Sequence, residues 1–448
     1  MNAATTVPLP QSNRREQTGW FFYEWATSGF TTTVVTVFIG PYLTSVTKAA
    51  ADAQGFVHPL GIPVLAGSFF PYMISAAVLL QLIFMPLLGA IADYIHFKKE
   101  MLAASAYLGA LLTMGLFFLQ GTNYLLGSFL YVFANLCYSA SVIFCNAFLP
   151  QIARPDERDT VSSRSWALGA LGGGILLAAN LGLLTVAGSL GLSDEMAVRI
   201  GLASAGVWWA IFALIPLTSL RRRQPTRFLK AGENYVVVGF SQLLHTLAQV
   251  RGYPQTLLFL VGYLLYNDGI QTVIGLWSQF GQEEIGLDIT TLTEVVLLVQ
   301  FVAIFGALGF DYIARKIGTK RALVTTLVIW TMTLLYVYGF MRTTLQVFGV
   351  ATVIALALGG SQALSRSAFS LMIPKDQEAE YFSLYQISAG GTSWLGPLLF
   401  GLALQFTGSY RIAIVSLVVF FFLGLVLLAR VDLRRAAVEA GNEAPARG

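Results

Sequence analysis

Four polar residues lie together inside a long apolar stretch and could do chemistry there. Asn267 and Gln271 are four residues apart, as are Asp268 and Thr272, so the four share one side of a helix. Asp268 lies roughly 18 Å along the apolar run 256–280. If that run crosses a membrane, the acid costs roughly 2.5–3.5 kcal/mol and is expected to serve a function. We predict that Asp268 carries a proton or holds a cationic part of a solute. The alternative is a carboxylate that fixes helix packing through hydrogen bonds.

A second polar stripe runs along the first apolar stretch of the chain. Glu24, Ser28, Thr32 and Thr36 repeat every four residues within the run 19–46 and therefore share one helix face. Glu24 lies only about 6 Å from the start of that run, where water could reach it. We predict that this stripe lines a path for solute or protons. The alternative for Glu24 is an ion pair with a loop arginine that closes such a path.

Other polar side chains within the apolar stretches are candidates for the same path. Each of them is explained equally well, when taken alone, by hydrogen bonds between packed helices. They are Asn135, Asn146 and Gln362.

The composition requires lipid as the solvent for much of the surface. Of the 448 residues, 56% are hydrophobic and 11% are charged, whereas soluble proteins carry about 25% charged residues. The net charge of +4 is too small to indicate nucleic acid. The two cysteines, Cys137 and Cys145, form neither a metal site nor a disulfide framework. We expect no metal and no other cofactor.

Twelve apolar runs are long enough to cross a bilayer, which needs roughly 20 residues. With twelve spans, 23 of the 27 Lys and Arg residues fall on one side, and only Lys48, Arg199, Arg342 and Arg411 fall on the other. Because basic loops stay cytoplasmic, both termini are predicted to be cytoplasmic. The runs are 19–46, 66–92, 101–120, 124–148, 165–188, 198–218, 256–280, 291–313, 322–341, 344–365, 382–405 and 411–430.

The longest loop, residues 219–255, separates six runs from the other six. Val236, Phe240, Leu243 and Leu247 recur at helical spacing, which predicts an amphipathic helix on the membrane surface. No G-x-x-x-x-G-K-[ST] loop occurs, so nucleotide binding is not expected. The glycines of 172–174 lie within an apolar run, where close helix packing explains them.

The chain repeats itself at an offset of about 219 residues, as duplicated bundles do. Asp93 and Asp311 each begin an Asp-Tyr-Ile sequence that is followed by basic residues. Gln81 matches Gln300, and a proline downstream of each aspartate, 155 and 374, matches as well. Three anchors at nearly one spacing predict two homologous halves of six helices.

These motifs resemble those of a known transporter superfamily. The run from Gly89 through Asp93 to Lys98 and Lys99, repeated around Asp311, is similar to the signature loop of the major facilitator superfamily. Further segments resemble its vacuole-effluxer-like branch, named after the fungal autophagy-related amino-acid effluxer, and the resemblance covers residues 19–430. The segments are YEWA (23–26), NAFLP (146–150), VSSR (161–164), YNDGIQT (266–272), GSQALSRS (360–367) and EAEYF (378–382).

The resemblance implies a gate built on the two repeated aspartates. Asp93 and Asp311 would accept hydrogen bonds from the free N–H groups that open the eleventh and fifth helices, respectively. Arg164, which opens the fifth helix, is the candidate partner of Asp311. The complete predicted gate consists of Asp93, Lys98, Lys99, Arg164, Asp311, Arg315 and Arg366.

We therefore predict an all-α polytopic membrane protein with twelve transmembrane helices in two pseudo-symmetric halves. Its partners would be the bilayer, a small polar solute and, as an option, protons. An amino acid or a related metabolite is the first candidate solute, and a bacterial inner membrane is the expected location. A membrane scaffold or sensor and a lipid flippase are the alternatives, whereas no nucleophile–base or metal constellation supports an enzyme. The predicted segments are 1–18, 19–218, 219–255, 256–430 and 431–448.

Overall fold

The computed structural model describes residues 13–94, 97–154, 158–222, 252–373, 385 and 393–442. Within these ranges it also describes the side chains, except those at 85–87, 89–94, 150, 158–160 and 163. Most of the predicted linker helix, residues 223–251, therefore lies outside the described residues.

The first half of the protein contains six long helices. A nine-residue π-helical stretch, Phe30–Phe38, lies within α1. A small antiparallel hairpin, β1 (Phe56–Val57) and β2 (Val64–Leu65), joins α1 to α2. The helices are α1 Arg14–Ala49, α2 Ala66–Tyr94, α3 Lys98–Gly115, α4 Tyr124–Asn146, α5 Arg158–Val186 and α6 Asp194–Ser219.

The second half repeats this order. A π-helical turn, Gly281–Ile285, extends α7, just as α1 contains a π-helical stretch. The helices are α7 Pro254–Phe280, α8 Ile289–Ile317, α9 Thr319–Gly339, α10 Thr344–Ser370, α11 Leu395–Thr407, α12 Tyr410–Arg430 and the short α13 Leu433–Glu439.

Eleven helices of the described chain are long and apolar enough to cross a membrane. The remaining apolar helix, α11, begins at Leu395 within the predicted eleventh run, the first part of which lies outside the described residues. Large apolar side chains lie on the outside, for example Phe305 at 68% and Leu308 at 65% exposure, as expected where lipid replaces water. The protein is an integral, multi-pass helical membrane protein, and the predicted fold class is confirmed.

Local sequence explains where four of the helices, α6, α8, α10 and α12, begin. Ser193 caps α6, Asp288 caps α8 and Ser409 caps α12, each accepting a hydrogen bond from a backbone N–H of the first turn. Thr343 and Gln346 form a reciprocal capping box at the start of α10. These caps satisfy N–H groups that have no partner within the helix.

Helix packing shows the internal repeat directly. Within the first half, α1 packs against α5 and α6, and α4 packs against α2 and α3. Within the second half, α7 packs in the same way against α11 and α12, and α10 packs against α8 and α9. Between the halves α2 packs against α11 and α5 against α8, while α1 contacts α7. Helix α1 meets α7 through its π-helical stretch and the segment beyond it.

Candidate solute pathway

The two ends of the helix bundle differ in how the halves are joined. We name the end that carries Arg14 and α13 the basic end, because most Lys and Arg residues lie in its loops. At the opposite end Lys48 of α1 forms an ion pair with Glu283 beyond α7. Gln282 donates from Nε2 to Ser45 Oγ at 3.1 Å beside that pair. These contacts hold the two halves together at the opposite end.

Further hydrogen bonds between the halves continue from the opposite end towards mid-depth. Four of them join a side chain of one half to the backbone of the other, and the fifth joins two side chains, so all require close approach of the helices. They are Ser278 Oγ to Thr36 O at 2.6 Å, Gln279 Nε2 to Gly67 O at 2.7 Å, Ser75 Oγ to Trp394 O at 2.8 Å, Leu65 N to Gln405 Oε1 at 2.8 Å and Gln300 Nε2 to Thr32 Oγ1 at 3.5 Å.

At the basic end, no hydrogen bond or ion pair between described residues joins the two halves. Asp311 pairs with Arg315 of its own helix at 2.7 Å, and both side chains are exposed. Arg164 is exposed and makes no contact with Asp311, so the predicted pair is absent from this structure. The physical reason is that Arg315, one turn along the same helix, already neutralises Asp311; the hydrogen bonds that join described residues of the two halves lie at mid-depth or nearer the opposite end.

The contacts described for the remaining predicted gate residues lie within one half. Lys98 is buried with its ammonium 5.8 Å from the ring of Phe148. Lys99 donates to the carbonyl oxygen of Leu220 at 2.7 Å and so acts within the first half. Arg366 is exposed near the basic end of α10. Asp93 is at the end of α2, but its side chain lies outside the described residues.

The Glu24 stripe packs on a glycine face of α5. A Cβ added at Gly169 would lie 3.1 Å from Glu24 Cβ, and one at Gly172 would lie 3.1 Å from Ser28 Oγ. One at Gly173 would lie 2.5 Å from Thr32 Oγ1. The predicted packing role of the glycines therefore holds for 172 and 173, whereas Gly174 has nothing within 4 Å.

Glu24 is the one member of the stripe that carries a charge, and its side chain is half-buried. Tyr138 and Cys145 of α4 lie within electrostatic range of the carboxylate. No described Lys or Arg pairs with Glu24, and no described group donates a hydrogen bond to its carboxylate. The predicted alternative, an ion pair with a loop arginine, is therefore not formed within the described part of the chain.

Asp268 has a different environment, because its side chain is fully buried and its carboxylate lies beside hydrogen-bond donors. Its oxygens accept the backbone N–H of Gly396 at 3.2 and 3.3 Å and lie 3.4 Å from the hydroxyl of Thr272. Gly396 is the second residue of α11, so its N–H has no acceptor within that helix. A Cβ at Gly396 would lie 1.9 Å from Thr272 Oγ1, so only glycine allows this approach.

The other predicted polar residues of α7 and its surroundings point in different directions. Asn267 accepts a hydrogen bond from Gln362 Nε2 of α10 at 3.1 Å, whereas Gln271 is exposed. In α4, Asn135 is half-buried and Asn146 is exposed. The structure thus separates Asp268 and Thr272, which face α11, from Asn267, which faces α10.

Most of the residues that close the opposite end could not be predicted from sequence patterns. Lys48 carried a usable signal, because it is one of only four basic residues on that side and lies on α1. Glu283, Ser278 and Gln279 carried none, since polar residues at a helix end are ordinary. Among the described residues no three His, Cys, Asp or Glu side chains lie close enough together to hold a metal ion.

A model of vacuole effluxer Atg22-like proteins matches residues 12–441, nearly the whole chain. The chain belongs to this family. An uncharacterized MFS-type transporter YxiO of Bacillus subtilis is 29% identical over 93% of the chain and 94% of the relative. Autophagy-related protein 22 of Yarrowia lipolytica is 28% identical over 85% of the chain and 78% of the relative.

Solved structures support the fold of this effluxer-family member. The nucleoside transporter NupG aligns with a TM-score of 0.64 at 14% identity, covering 92% of the chain and 97% of that protein. A bacterial homologue of the human lysosomal transporter Spinster aligns with a TM-score of 0.68 at 13% identity, covering 97% and 100%. At such identities the likeness concerns the fold alone, which is that of major facilitator transporters.

Proposed function

We propose that the protein is a secondary carrier that moves a small polar solute across a membrane by alternating access. An amino acid or a related metabolite is the first candidate solute, and the proton is the candidate coupling ion. In this proposal the structure corresponds to the state open at the basic end. The contacts that close the opposite end carry the proposal, because an alternating-access carrier must close one end while the other is open.

The sidedness of the proposal follows from charge. Since basic loops stay cytoplasmic, the basic end and both termini would face the cytoplasm. The bacterial relative supports a cell membrane, while the family description names a vacuole effluxer, which would place fungal members in another membrane. The amino-acid candidate rests on the resemblance to the fungal branch.

The two intramembrane acids would have separate roles in this carrier. Glu24 lies on a polar stripe that leads to Thr32 and to Gln300 of the other half, which supports a place in the solute path. Asp268 accepts a backbone N–H, and its burial supports the packing alternative over a cargo role. The gate aspartates, Asp93 and Asp311, remain proposals for the state that closes the basic end.

Flux measurements test the transporter proposal. Metabolites inside and outside cells with and without the protein would identify candidate solutes, which would then be assayed in proteoliposomes. We expect protein-dependent flux of at least one of them. A scaffold or sensor would give no flux with any candidate. A flippase would instead scramble fluorescent lipids in the same vesicles.

A reversible cross-link tests the alternating-access part. In a variant with Cys137 and Cys145 replaced by alanine, a bis-methanethiosulfonate reagent would join Lys48→Cys to Glu283→Cys at the opposite end, because the long side chains of the ion pair leave more space than a direct disulfide spans. Cross-linking should abolish flux and reductant should restore it, since the opposite end can no longer open. Either single-cysteine variant is the matched control and should retain flux after the same treatment. Undiminished flux through the cross-linked protein would contradict alternating access.

A further inference from the structure

We propose that the hairpin between α1 and α2 binds the lipid leaflet at the opposite end of the bundle through an apolar tip, residues 59–63. The partner of this surface is thus lipid, contacted at the depth of the headgroups and the first carbons of the acyl chains. The contact lies outside the solute pathway and does not depend on the carrier function.

The internal repeat shows that the hairpin is not needed to connect two helices. In the second half, Gly286, Leu287 and Asp288 alone join the π-helical turn of α7 to α8. In the first half, residues 50–65 join α1 to α2 and form the two-stranded hairpin. The first half therefore carries an additional folded element at this end of the bundle.

The base of the hairpin packs on the ends of two membrane helices. Val57 and Val64, which pair across the strands, form a small buried cluster with Phe69 in the first turn of α2. Phe69 packs edge-to-face on Tyr124, the first residue of α4, at a centroid distance of 5.0 Å. Leu60 is three residues beyond Val57 and so lies within about 10 Å of this cluster. That distance is comparable with the thickness of the headgroup layer.

The tip exposes apolar side chains in an uncommon backbone conformation. Leu60 is 100% exposed and Ile62 is 60% exposed. Leu60 has φ 54° and ψ 25°, and it is the one non-glycine residue of the described chain with a positive φ. This left-handed conformation favours glycine or asparagine, so a leucine there is strained. Because a fully exposed side chain gains no packing energy from its own protein, contacts outside the chain have to offset the strain.

The backbone and the charge of the tip suit lipid. Pro59 and Pro63 have no N–H group to satisfy. Gly61 and Ile62 donate theirs to carbonyl oxygens within the turn, at 3.2 and 3.1 Å. Few donors therefore remain that would need water, which becomes scarce towards the acyl chains. No Lys, Arg, Asp or Glu occurs in residues 53–92, so no charge opposes contact with lipid.

The small size of the tip also favours a leaflet over a protein partner. A stable protein interface needs roughly 800 Å² from each partner and about one hydrogen bond per 100–200 Å². Two apolar side chains with few free donors supply much less than that. A leaflet is continuous and sets no minimum area, so a small apolar tip is sufficient to contact it.

The base of the same hairpin reaches the second half. Leu65, at the end of β2, donates its N–H to Gln405 Oε1 of α11 at 2.8 Å. A tip held in the leaflet would therefore keep the hairpin with the first half if α11 moved away. In that case the hydrogen bond to Gln405 would break while the hairpin kept its place.

Collisional quenching of a fluorophore on the tip tests the lipid contact. In the Cys137→Ala, Cys145→Ala protein, Ile62→Cys would carry a nitrobenzoxadiazole label in phosphatidylcholine vesicles. The matched site is Gln54→Cys, because Gln54 is an exposed polar residue of the same connection. We expect aqueous iodide to quench the label at 62 at least threefold less than the label at 54. Lipids with a nitroxide on the upper acyl chain should quench the label at 62 only, with or without phosphatidylglycerol.

Two variants of Leu60 in the labelled Ile62→Cys protein separate the apolar contact from the backbone conformation. Leu60→Asn tolerates the left-handed conformation but removes the apolar side chain, so iodide quenching should rise towards the level at 54. Leu60→Met stays apolar and should keep the protection. Since Leu60 is fully exposed, both variants should unfold in detergent at a temperature no lower than that of the parent.

Dilution in lipid distinguishes a leaflet from a second copy of the chain. Protection by lipid persists when the protein is diluted tenfold in lipid, whereas loss of protection would indicate a second copy and overturn the proposal. Equal iodide quenching at 54 and 62 would overturn it as well, and the tip would then be free for another protein. None of these measurements needs flux, so a failed carrier proposal and a failed lipid contact are told apart.

Discussion

The contact between α1 and α5 in the first half corresponds to the contact between α7 and α11 in the second half, but different side chains form it. Ser28 precedes Gly29 on α1, and Asp268 precedes Gly269 on α7. Ser28 donates to the carbonyl of Trp25 in its own helix, 2.9 Å away, and takes no part in a cap. Asp268 instead accepts an N–H from another helix.

The difference follows from where the partner helix begins. Thr32 faces Gly173 and Thr272 faces Gly396, so matching threonines meet matching glycines. Gly173 lies inside the long helix α5, where its N–H bonds within the helix, whereas Gly396 belongs to the unsatisfied first turn of α11. An acid in mid-membrane can therefore serve the backbone of a neighbouring helix, and its presence alone does not identify a transport residue.

Replacing the two matched polar residues by alanine should give the largest contrast. Asp268→Ala leaves the N–H of Gly396 buried without an acceptor, and we expect the free energy of unfolding to fall by about 3 kcal/mol. Ser28→Ala removes a hydrogen bond within one helix and should lower the free energy of unfolding by about 0.5 kcal/mol at most. Thermal and denaturant unfolding in detergent measures both.

Asp268→Asn is the control for charge, because the amide oxygen can still accept the N–H. This variant should be destabilised by less than half as much as Asp268→Ala and should retain concentrative flux. If the variant folds but loses concentrative flux, Asp268 would instead have the proton-coupling role predicted from the sequence.

Adding a methyl group to each matched glycine tests the closeness of the two contacts. At Gly396 the new Cβ would meet Thr272 Oγ1 at 1.9 Å, and we expect a loss of about 2 kcal/mol from overpacking. At Gly173 the nearest atom, Thr32 Oγ1, is 2.5 Å away, so the loss should be about 1 kcal/mol. Unfolding midpoints of the two alanine variants rank the contacts.

Gly174→Ala is the matched control, since nothing lies within 4 Å of its added Cβ. Alanine favours a helix over glycine, so this variant should be as stable as the parent or up to about 1 kcal/mol more stable. Equal destabilisation at 173 and 174 would mean that α1 and α5 are not packed as described.

Replacing Glu24 should change the free energy of unfolding by a smaller amount and in the opposite direction. The residue of α7 that matches it, counted from Gly29 and Gly269, is the apolar Leu264. Glu24→Leu removes an unpaired carboxylate from the bundle and should raise the free energy of unfolding by about 1 kcal/mol, while flux should be lost. A destabilised Glu24→Leu protein would indicate a partner for Glu24, against the unpaired site described above.

The smallest effect on stability is expected where α1 and α7 meet at the opposite end. Lys48 is half-exposed, so Lys48→Ala should cost about 0.5 kcal/mol. The same change should raise the reactivity of a cysteine at Ser45 with an impermeant thiol reagent, because the ion pair to Glu283 no longer holds the end closed. Lys48→Arg, which keeps the charge, should leave that reactivity unchanged.

Sequence patterns predicted nearly all the helices, because a membrane requires long apolar runs. The partner of Asp268 was not predictable in this way. It lies 128 residues away, and its free N–H depends on α11 beginning at Leu395. The Arg164–Asp311 pair was proposed for the state in which the basic end is closed, and which end is closed is likewise not set by local sequence. A local sequence pattern predicts neither where α11 begins nor which end of the bundle is closed.

The π-helical stretches of α1 and α7 have a mechanical consequence. Each π turn holds one more residue than an α turn, because its hydrogen bonds span five residues instead of four. If Phe30–Phe38 changed to α-helical bonding, every side chain beyond it, Lys48 included, would turn about the helix axis while the axis itself stayed straight. The Gly281–Ile285 turn places Glu283 within a second such element. Such a rotation of either segment would separate Lys48 from Glu283 without a bend in either helix.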